Sequence, residues 1–293
     1  MERKDNEILN RLIVYLALPA LVFAGVYRSS LDTRLLGITA VAWATLLVTA
    51  SLAYGAGRLL KLRAPTLGGF VIVCALGNTG YLGYPLTIAL FGKEELVKAF
   101  FYDIFGTAMA LLTLAMWVGR RFGDGEMPGG AGERAGVSKS GALAETIKQI
   151  ITFPALIAVV AALVLKPAPI PGFLLSAVEH LANLTVPLVM LTIGVSLEIR
   201  GMREHPMALG LVAALKLAVA PALAWGLWVA LRLPAEATPV VLLEASMPSM
   251  MLTYVVALKC RLDTSFVPTA IVLTTIASLV TVPLWQVALR SVG

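Results

Sequence analysis

The sequence predicts an all-α, polytopic membrane protein of about nine spanning helices. Three observations lead there. First, of 293 residues, 59% are hydrophobic and only 14% charged, against about 25% charged in soluble proteins; mean hydropathy is +0.88. Second, apolar segments recur near 12–27, 35–56, 67–92, 96–118, 148–165, 172–196, 207–231, 238–258 and 265–289. A helix crossing the hydrocarbon needs about 20 residues, so nine use roughly 180 and leave short loops. Third, the proline punctuation of the chain repeats across one polar stretch. This composition excludes a water-soluble enzyme, a disordered chain, a nucleic-acid binder and a disulfide scaffold. Cys74 and Cys260 both fall in or beside apolar stretches, with nothing to pair them.

The opening MERKDNEILNR carries Glu2, Asp5 and Glu7 among its basic residues, which argues against a signal peptide and for a first spanning helix. Lys and Arg divide unevenly between the two ends of the segments. Fifteen lie on the side of Arg3, Arg58, Arg120 and Arg261, seven on the side of Arg28, Lys93 and Arg290, and Lys216 is inside a helix. The richer side is predicted to be cytoplasmic, with the N-terminus inside and the C-terminus outside the inner membrane. The net charge of +6 follows from the same bias and needs no acidic partner. Residues 119–147 are Gly-rich and charged and read as a flexible cytoplasmic linker. The linker separates a first repeat of four helices, residues 1–118, from a second of five, residues 148–293.

Pro19 in YLALPALVFAG and Pro187 in LTVPLVMLTIG mark the first helix of each half. Two helices later stand Pro85 in GNTGYLGYP and Pro248 in EASMPSMM. The paired prolines are 66 and 61 residues apart, and the two halves run in opposite senses. Inverted repeats with interrupted helices at matching positions point to the binding site of a secondary transporter.

The run LGNTGYLGYP, residues 76–85, is the most informative. Gly77, Gly80 and Gly83 weaken the helix, and Pro85 removes an amide donor and clashes with the preceding turn. Asn78 lies roughly 16 Å into its segment, and Pro248 about 15 Å into its own, so both breaks are expected at one depth. A break frees backbone groups that lipid cannot satisfy, so it must face protein or water. The amides of a half-helix N-terminus attract anions. The expected substrate pocket holds Asn78, Thr79, Gly80, Tyr81 and Pro85 from one break and Ser246, Met247, Pro248 and Ser249 from the other. The other possibility is a mere kink, with Gly packed on a neighbouring helix.

Ionisable residues inside the membrane are costly and point to function. Asp103 lies about two turns into its helix, where it can carry a proton, orient the Asn78 break, or reach water at the outer end. Glu244 precedes Pro248 by one turn and is a candidate for a proton or cation, or for capping the broken helix. Lys216 lies about 14 Å deep; it either snorkels to the cytosol or supplies positive charge to an anion. These three are the candidates for ion coupling. Glu179, His180 and His205 are expected at interfaces or in loops. The sequence holds no Walker loop, HExxH, CxxC pair, GxSxG or dinucleotide fingerprint, so no cofactor or metal centre is expected beyond a coupling H+ or Na+.

Six stretches resemble the auxin efflux carrier family, the membrane-transport group of plant PIN proteins and bacterial carriers. They are YLALPALVF, GNTGYLGYP, FYDIFGTAMALLTLAMWVGRR, PLVMLTIGVSL, LEASMP and VPTAIVLTTIASLVTVPLW, and they cover nearly the whole chain in order. The resemblance implies two inverted five-helix repeats with crossed, proline-broken helices that hold the substrate, often an organic anion. It also implies elevator-like movement and a dimer, and bile-acid symporters share the fold. Family members carry one more helix before the segment matching YLALPALVF; that helix belongs to the scaffold rather than the pocket. The expectation is therefore a secondary transporter of a small carboxylate, with a membrane sensor, a channel or a membrane enzyme as the rivals.

Overall fold

The computed structural model describes residues 3–29, 32, 34–124, 139–196 and 205–292. Among them every regular element is helical, apart from one isolated β-bridge. The protein is the polytopic, all-helical membrane protein that its composition predicts. Six helices are long and apolar enough to cross a membrane: Ile8–Arg28, Leu35–Leu59, Lys93–Phe122, Gly172–Thr192, Pro206–Ala230 and Phe266–Ser291. The other three expected segments are interrupted.

In chain order, α1 covers residues 3–28 and α2 Leu35–Leu59. The third segment divides into α3a, Ala64–Ala75, and α3b, residues 79–91. Next come α4, Lys93–Phe122, and the pair α5a, Lys139–Ile151, and α5b, Pro154–Leu165. The sixth segment is α6a, Gly172–Asn183, and α6b, Thr185–Ser196, and the seventh is α7, Pro206–Ala230. The eighth divides into α8a, Thr238–Ala245, and α8b, Thr253–Cys260, and α9 covers Phe266–Val292.

Two boundaries differ from expectation. The charged opening is helical, so α1 begins at Arg3 rather than near residue 12. Helix α5a begins at Lys139, inside the stretch expected to be linker, and the chain then breaks before Pro154. Pro154 lacks an amide and holds Phe153 extended (φ −67, ψ 117). Residues 125–138 of the expected linker lie outside the described residues.

Helices α2, α7 and α8b end in the same way. Lys61, Arg232 and Arg261 take positive φ, at 55, 52 and 53°. The following Leu62, Leu233 and Leu262 donate back to Gly57, Trp228 and Ala257, at 3.1, 3.2 and 2.9 Å. That is the bond pattern of a Schellman cap, whose left-handed position usually holds glycine. After the first two caps, α3a and α8a each open on a proline in their first turn, Pro65 and Pro239.

Packing splits at the breaks. One core joins α3a, α8b, the first turns of α7 and α9, and the end of α4, around Phe70, Val73, Leu209 and Val267. A second joins α1, α3b, α5b and the start of α4, around Val22, Tyr84, Phe100 and Val159. Lipid offers no hydrophobic drive between helices, so close approach of small residues matters here. Gly106 of α4 lies against Ala42 of α2, where an added Cβ would meet that methyl at 2.8 Å.

Candidate functional site

The first break lies at residues 76–78. Helix α3a stops at Ala75, Leu76 turns extended (φ −93, ψ 122), and α3b opens on a π-turn, Thr79–Gly83. Pro85 does not make this break, contrary to expectation. It sits in the first turn of Tyr84–Phe91, where a missing amide is tolerated. The second break runs between α8a and α8b and contains Pro248, as expected.

The two breaks bond to each other. Asn78 N–H donates to Pro248 O at 2.7 Å, Met250 N–H donates to Leu76 O at 2.9 Å, and Gly77 pairs antiparallel with Ser249. Backbone groups that lipid would leave unsatisfied therefore satisfy one another across 171 residues of sequence. Every residue from Val240 to Met250 is buried.

Three buried ionisable groups line up along the first break and the opening turns of α3b. Gly77, Gly80 and Gly83 provide one seat each. A Cβ on Gly77 would lie 3.2 Å from Lys216 Nζ, and one on Gly80 would lie 3.0 Å from Asp103 Oδ2. A Cβ on Gly83 would overlap the Glu244 carboxylate, 2.6 Å from Oε1. Lys216 is 3% exposed and donates to Ala245 O at 3.1 Å, so it caps the C-terminal carbonyls of α8a rather than snorkelling to water. Asp103, 5% exposed, accepts from Thr79 Oγ1 and Tyr84 Oη, both at 2.5 Å; it does not reach the outer solvent. Glu244 accepts from Thr87 Oγ1 at 3.3 Å, and its Oε2 has no partner. It does not cap its helix, and it interacts electrostatically with both Asp103 and Lys216.

The other expected pocket residues divide. Asn78 is 2% exposed with Nδ2 unpartnered. The hydroxyls expected to meet a substrate are used internally. Ser246 donates to Leu243 O at 2.8 Å, Ser249 to Val73 O at 2.7 Å, and Thr79 to Asp103. Tyr81 reaches the other way, donating to Asn10 of α1 at 3.0 Å. Met247 is buried against Leu243 and Val282. Glu179 pairs with Arg28, and His180 stays exposed on its own helix, its ring nitrogen 2.7 Å from Ser176 O. Both cysteines are free and buried.

Sequence reasoning missed Tyr84 and Thr87 as partners of the acids, and Thr274, whose hydroxyl accepts from Ser249 N–H at 3.1 Å. It also missed the π-turns. Asp103 opens one, Asp103–Ala108, and Lys216 lies in another, Leu215–Val219. Such bulges free carbonyls and recur at functional sites. Here an indole from a neighbouring helix takes each freed carbonyl: Trp43 Nε1 donates to Phe105 O and Trp285 Nε1 to Leu217 O, both at 2.8 Å.

A cavity of about 830 Å³ opens away from the breaks, between Arg28, Arg34, Lys93 and Glu179. Three of its cations pair with acids, Arg28 with Glu179, Arg34 with Asp32 and Lys98 with Glu95, and Lys93 donates to the Asn183 side-chain oxygen at 3.0 Å. Gly25 forms part of its wall, and Phe100 packs on Gly25 and stands edge-on to Tyr84 at 5.0 Å. The chain of contacts from the cavity to Asp103 is therefore Gly25, Phe100, Tyr84.

Comparison with known proteins agrees with this architecture. The family model described as "Membrane transport protein" matches residues 1–126 and 138–286. An uncharacterized transporter of Methanocaldococcus jannaschii is 32% identical over 97% of this chain and 90% of its own length. One from Methanothermobacter thermautotrophicus is 32% identical over 98% and 90%. A Rhizobium meliloti protein named "Putative malonate transporter" is 28% identical over 94% and 84%. With the match extending over both halves and both breaks, the chain belongs to the membrane transport protein family, the auxin efflux carrier group that its motifs resemble.

Proposed function

We propose that this multi-pass membrane transporter is a secondary carrier of a small organic anion in the cytoplasmic membrane, N-terminus inside. The observation that carries the reading is the pair of bonded breaks with Lys216 beside them. The first-turn amides of α3b have no intrahelical acceptor, and they carry the positive end of the helix dipole. Asn78 Nδ2 and the Lys216 ammonium add two donors beside them. That set suits a carboxylate. The name of the Rhizobium relative makes malonate the first substrate to try.

Asp103 and Glu244 are the coupling groups in this reading, with a proton preferred to sodium. Movement is of the elevator type, and the matching caps and proline-opened helices after α2 and α7 support two inverted repeats. The assembly is a homodimer, and the 830 Å³ cavity is the outer approach to the site.

The test is flux into proteoliposomes holding the purified chain, with radiolabelled malonate, malate and indole-3-acetate, with and without a proton or sodium gradient. Saturable flux that follows one gradient is expected. Binding without flux would instead identify a sensor, and single-channel currents a channel. Asn78→Ala should abolish flux while helical content and elution volume stay unchanged; normal flux by that variant would remove the break from the site.

A further inference from the structure

We infer that the rim where α2, α4 and α8b end is a binding site for anionic phospholipid headgroups. Six exposed cations stand there, besides Arg120: Arg58, Lys61 and Arg63 at the α2–α3a corner, Arg121 on α4, and Lys259 and Arg261 at the end of α8b. The rim is continuous. Tyr54 of α2 lies 6.0 Å from Phe122 of α4, Gly119 of α4 packs on Cys260 of α8b, and Asp124 N–H donates to Arg261 O at 3.2 Å. The acids described on this rim are Asp124 and Asp263, and the Asp263 carboxylate already accepts from Thr66, Ser265 and Phe266.

The neighbouring surface is apolar and open. Leu59, Trp117 and Leu258 are 84%, 62% and 45% exposed. Cations immediately beside exposed apolar side chains match a phosphate headgroup above its acyl chains.

The backbone supplies substitutions that remove charge from the rim without adding strain. Lys61 and Arg261 hold the left-handed cap position, φ 55 and 53°, where glycine fits without strain. Arg232 has the same cap at the opposite end of the bundle, away from this cluster, and serves as the internal control.

The experiment compares thermal unfolding of the purified protein in neutral detergent with added phosphatidylglycerol, added phosphatidylcholine, or inorganic phosphate. The chains are wild type, K61G/R261G and R232G. Phosphatidylglycerol should raise the wild-type midpoint above the phosphatidylcholine value, and inorganic phosphate should not. K61G/R261G should unfold at or above the wild-type midpoint in detergent alone, since its caps are relaxed, yet lose at least half of the phosphatidylglycerol shift. R232G should keep the full shift. The inference fails if wild type shows no phosphatidylglycerol shift, if K61G/R261G retains it, or if inorganic phosphate reproduces it. Asparagine also tolerates the left-handed position, so K61N/R261N gives the same reading should the glycine pair not fold.

Discussion

The glycine seats on α3b yield a prediction whose sign departs from the usual helix rule. Gly→Ala in a helix interior gains about 0.8–1.0 kcal/mol. Gly210 and Gly226 of α7 have nothing within 4 Å of an added Cβ and should realise that gain. At Gly83 the added methyl would stand 2.6 Å from Glu244 Oε1 and 2.7 Å from Cδ, about 0.8–1 Å short of ordinary contact. The carboxylate would have to rotate away from Thr87, and overpacking of this kind costs about 1–3 kcal/mol. Gly83→Ala should therefore fall below Gly210→Ala by about 1–3 kcal/mol. The assay is denaturant unfolding of the purified protein in detergent, run as a double-mutant cycle with Glu244→Ala. With the carboxylate gone the methyl has room, so Gly83→Ala should become neutral or stabilising, with a coupling energy of about 1–3 kcal/mol. Equal stabilisation by Gly83→Ala and Gly210→Ala, or no coupling to Glu244, would refute the seat.

Other expectations follow from single bonds. Tyr84→Phe removes one of the two hydroxyls that Asp103 accepts from and should cost about 1–3 kcal/mol in the same unfolding assay; an unchanged midpoint would mean that the bond is replaced. Asp263, at the start of α9, is pushed up by partial burial but held below the usual carboxylate value by Phe266 N–H, Thr66 and Ser265. A depressed carboxyl stabilises above its unfolded value near 3.8 and loses that contribution as pH falls through the lower folded value. Unfolding followed downward from pH 5 should show an acid limb that Asp263→Asn flattens; parallel curves would contradict it.

The reach of sequence reasoning can be judged residue by residue. Long apolar runs made α2, α7 and α9 legible, since length and hydropathy are local properties. Pro248 marked its break correctly, whereas Pro85 misled, because a first-turn proline is compatible with a helix. The first break is set by Gly77 pairing with Ser249, a contact that no periodicity encodes. The depth of Lys216 was readable but its direction was not: its ammonium turns onto Ala245 O at the end of α8a. Gly77, Gly80 and Gly83 were visible at a spacing of three and read as helix weakness. Their use as seats depends on side chains from α7, α4 and α8a, which only the fold brings together. Ser246 and Ser249 were read as ligand donors because the sequence does not disclose which backbone carbonyls a break leaves open.

The unpartnered atoms at the breaks bear on coupling. Backbone groups freed at residues 76–78 and 246–250 bond each other, and indoles cover the two π-turn carbonyls. Among the described buried side chains of the two broken segments, Asn78 Nδ2, a donor, and Glu244 Oε2, an acceptor, remain without partners. In a medium without water each missing bond costs several kcal/mol, so these are the atoms a ligand can most profitably engage. A donor suits a carboxylate and an acceptor suits a proton or cation. Both atoms adjoin α3b, at Asn78 and beside Gly83, so in the proposed function occupancy at one bears on the helix that carries the other. Glu244→Gln separates the two roles. Its amide oxygen can still accept from Thr87, but it offers neither charge nor a titrating site. The variant should still bind the substrate anion, and its flux should cease to follow the ion gradient. Flux by Glu244→Gln that still tracks the gradient as wild type does would take coupling away from this carboxylate and leave Asp103 as its bearer.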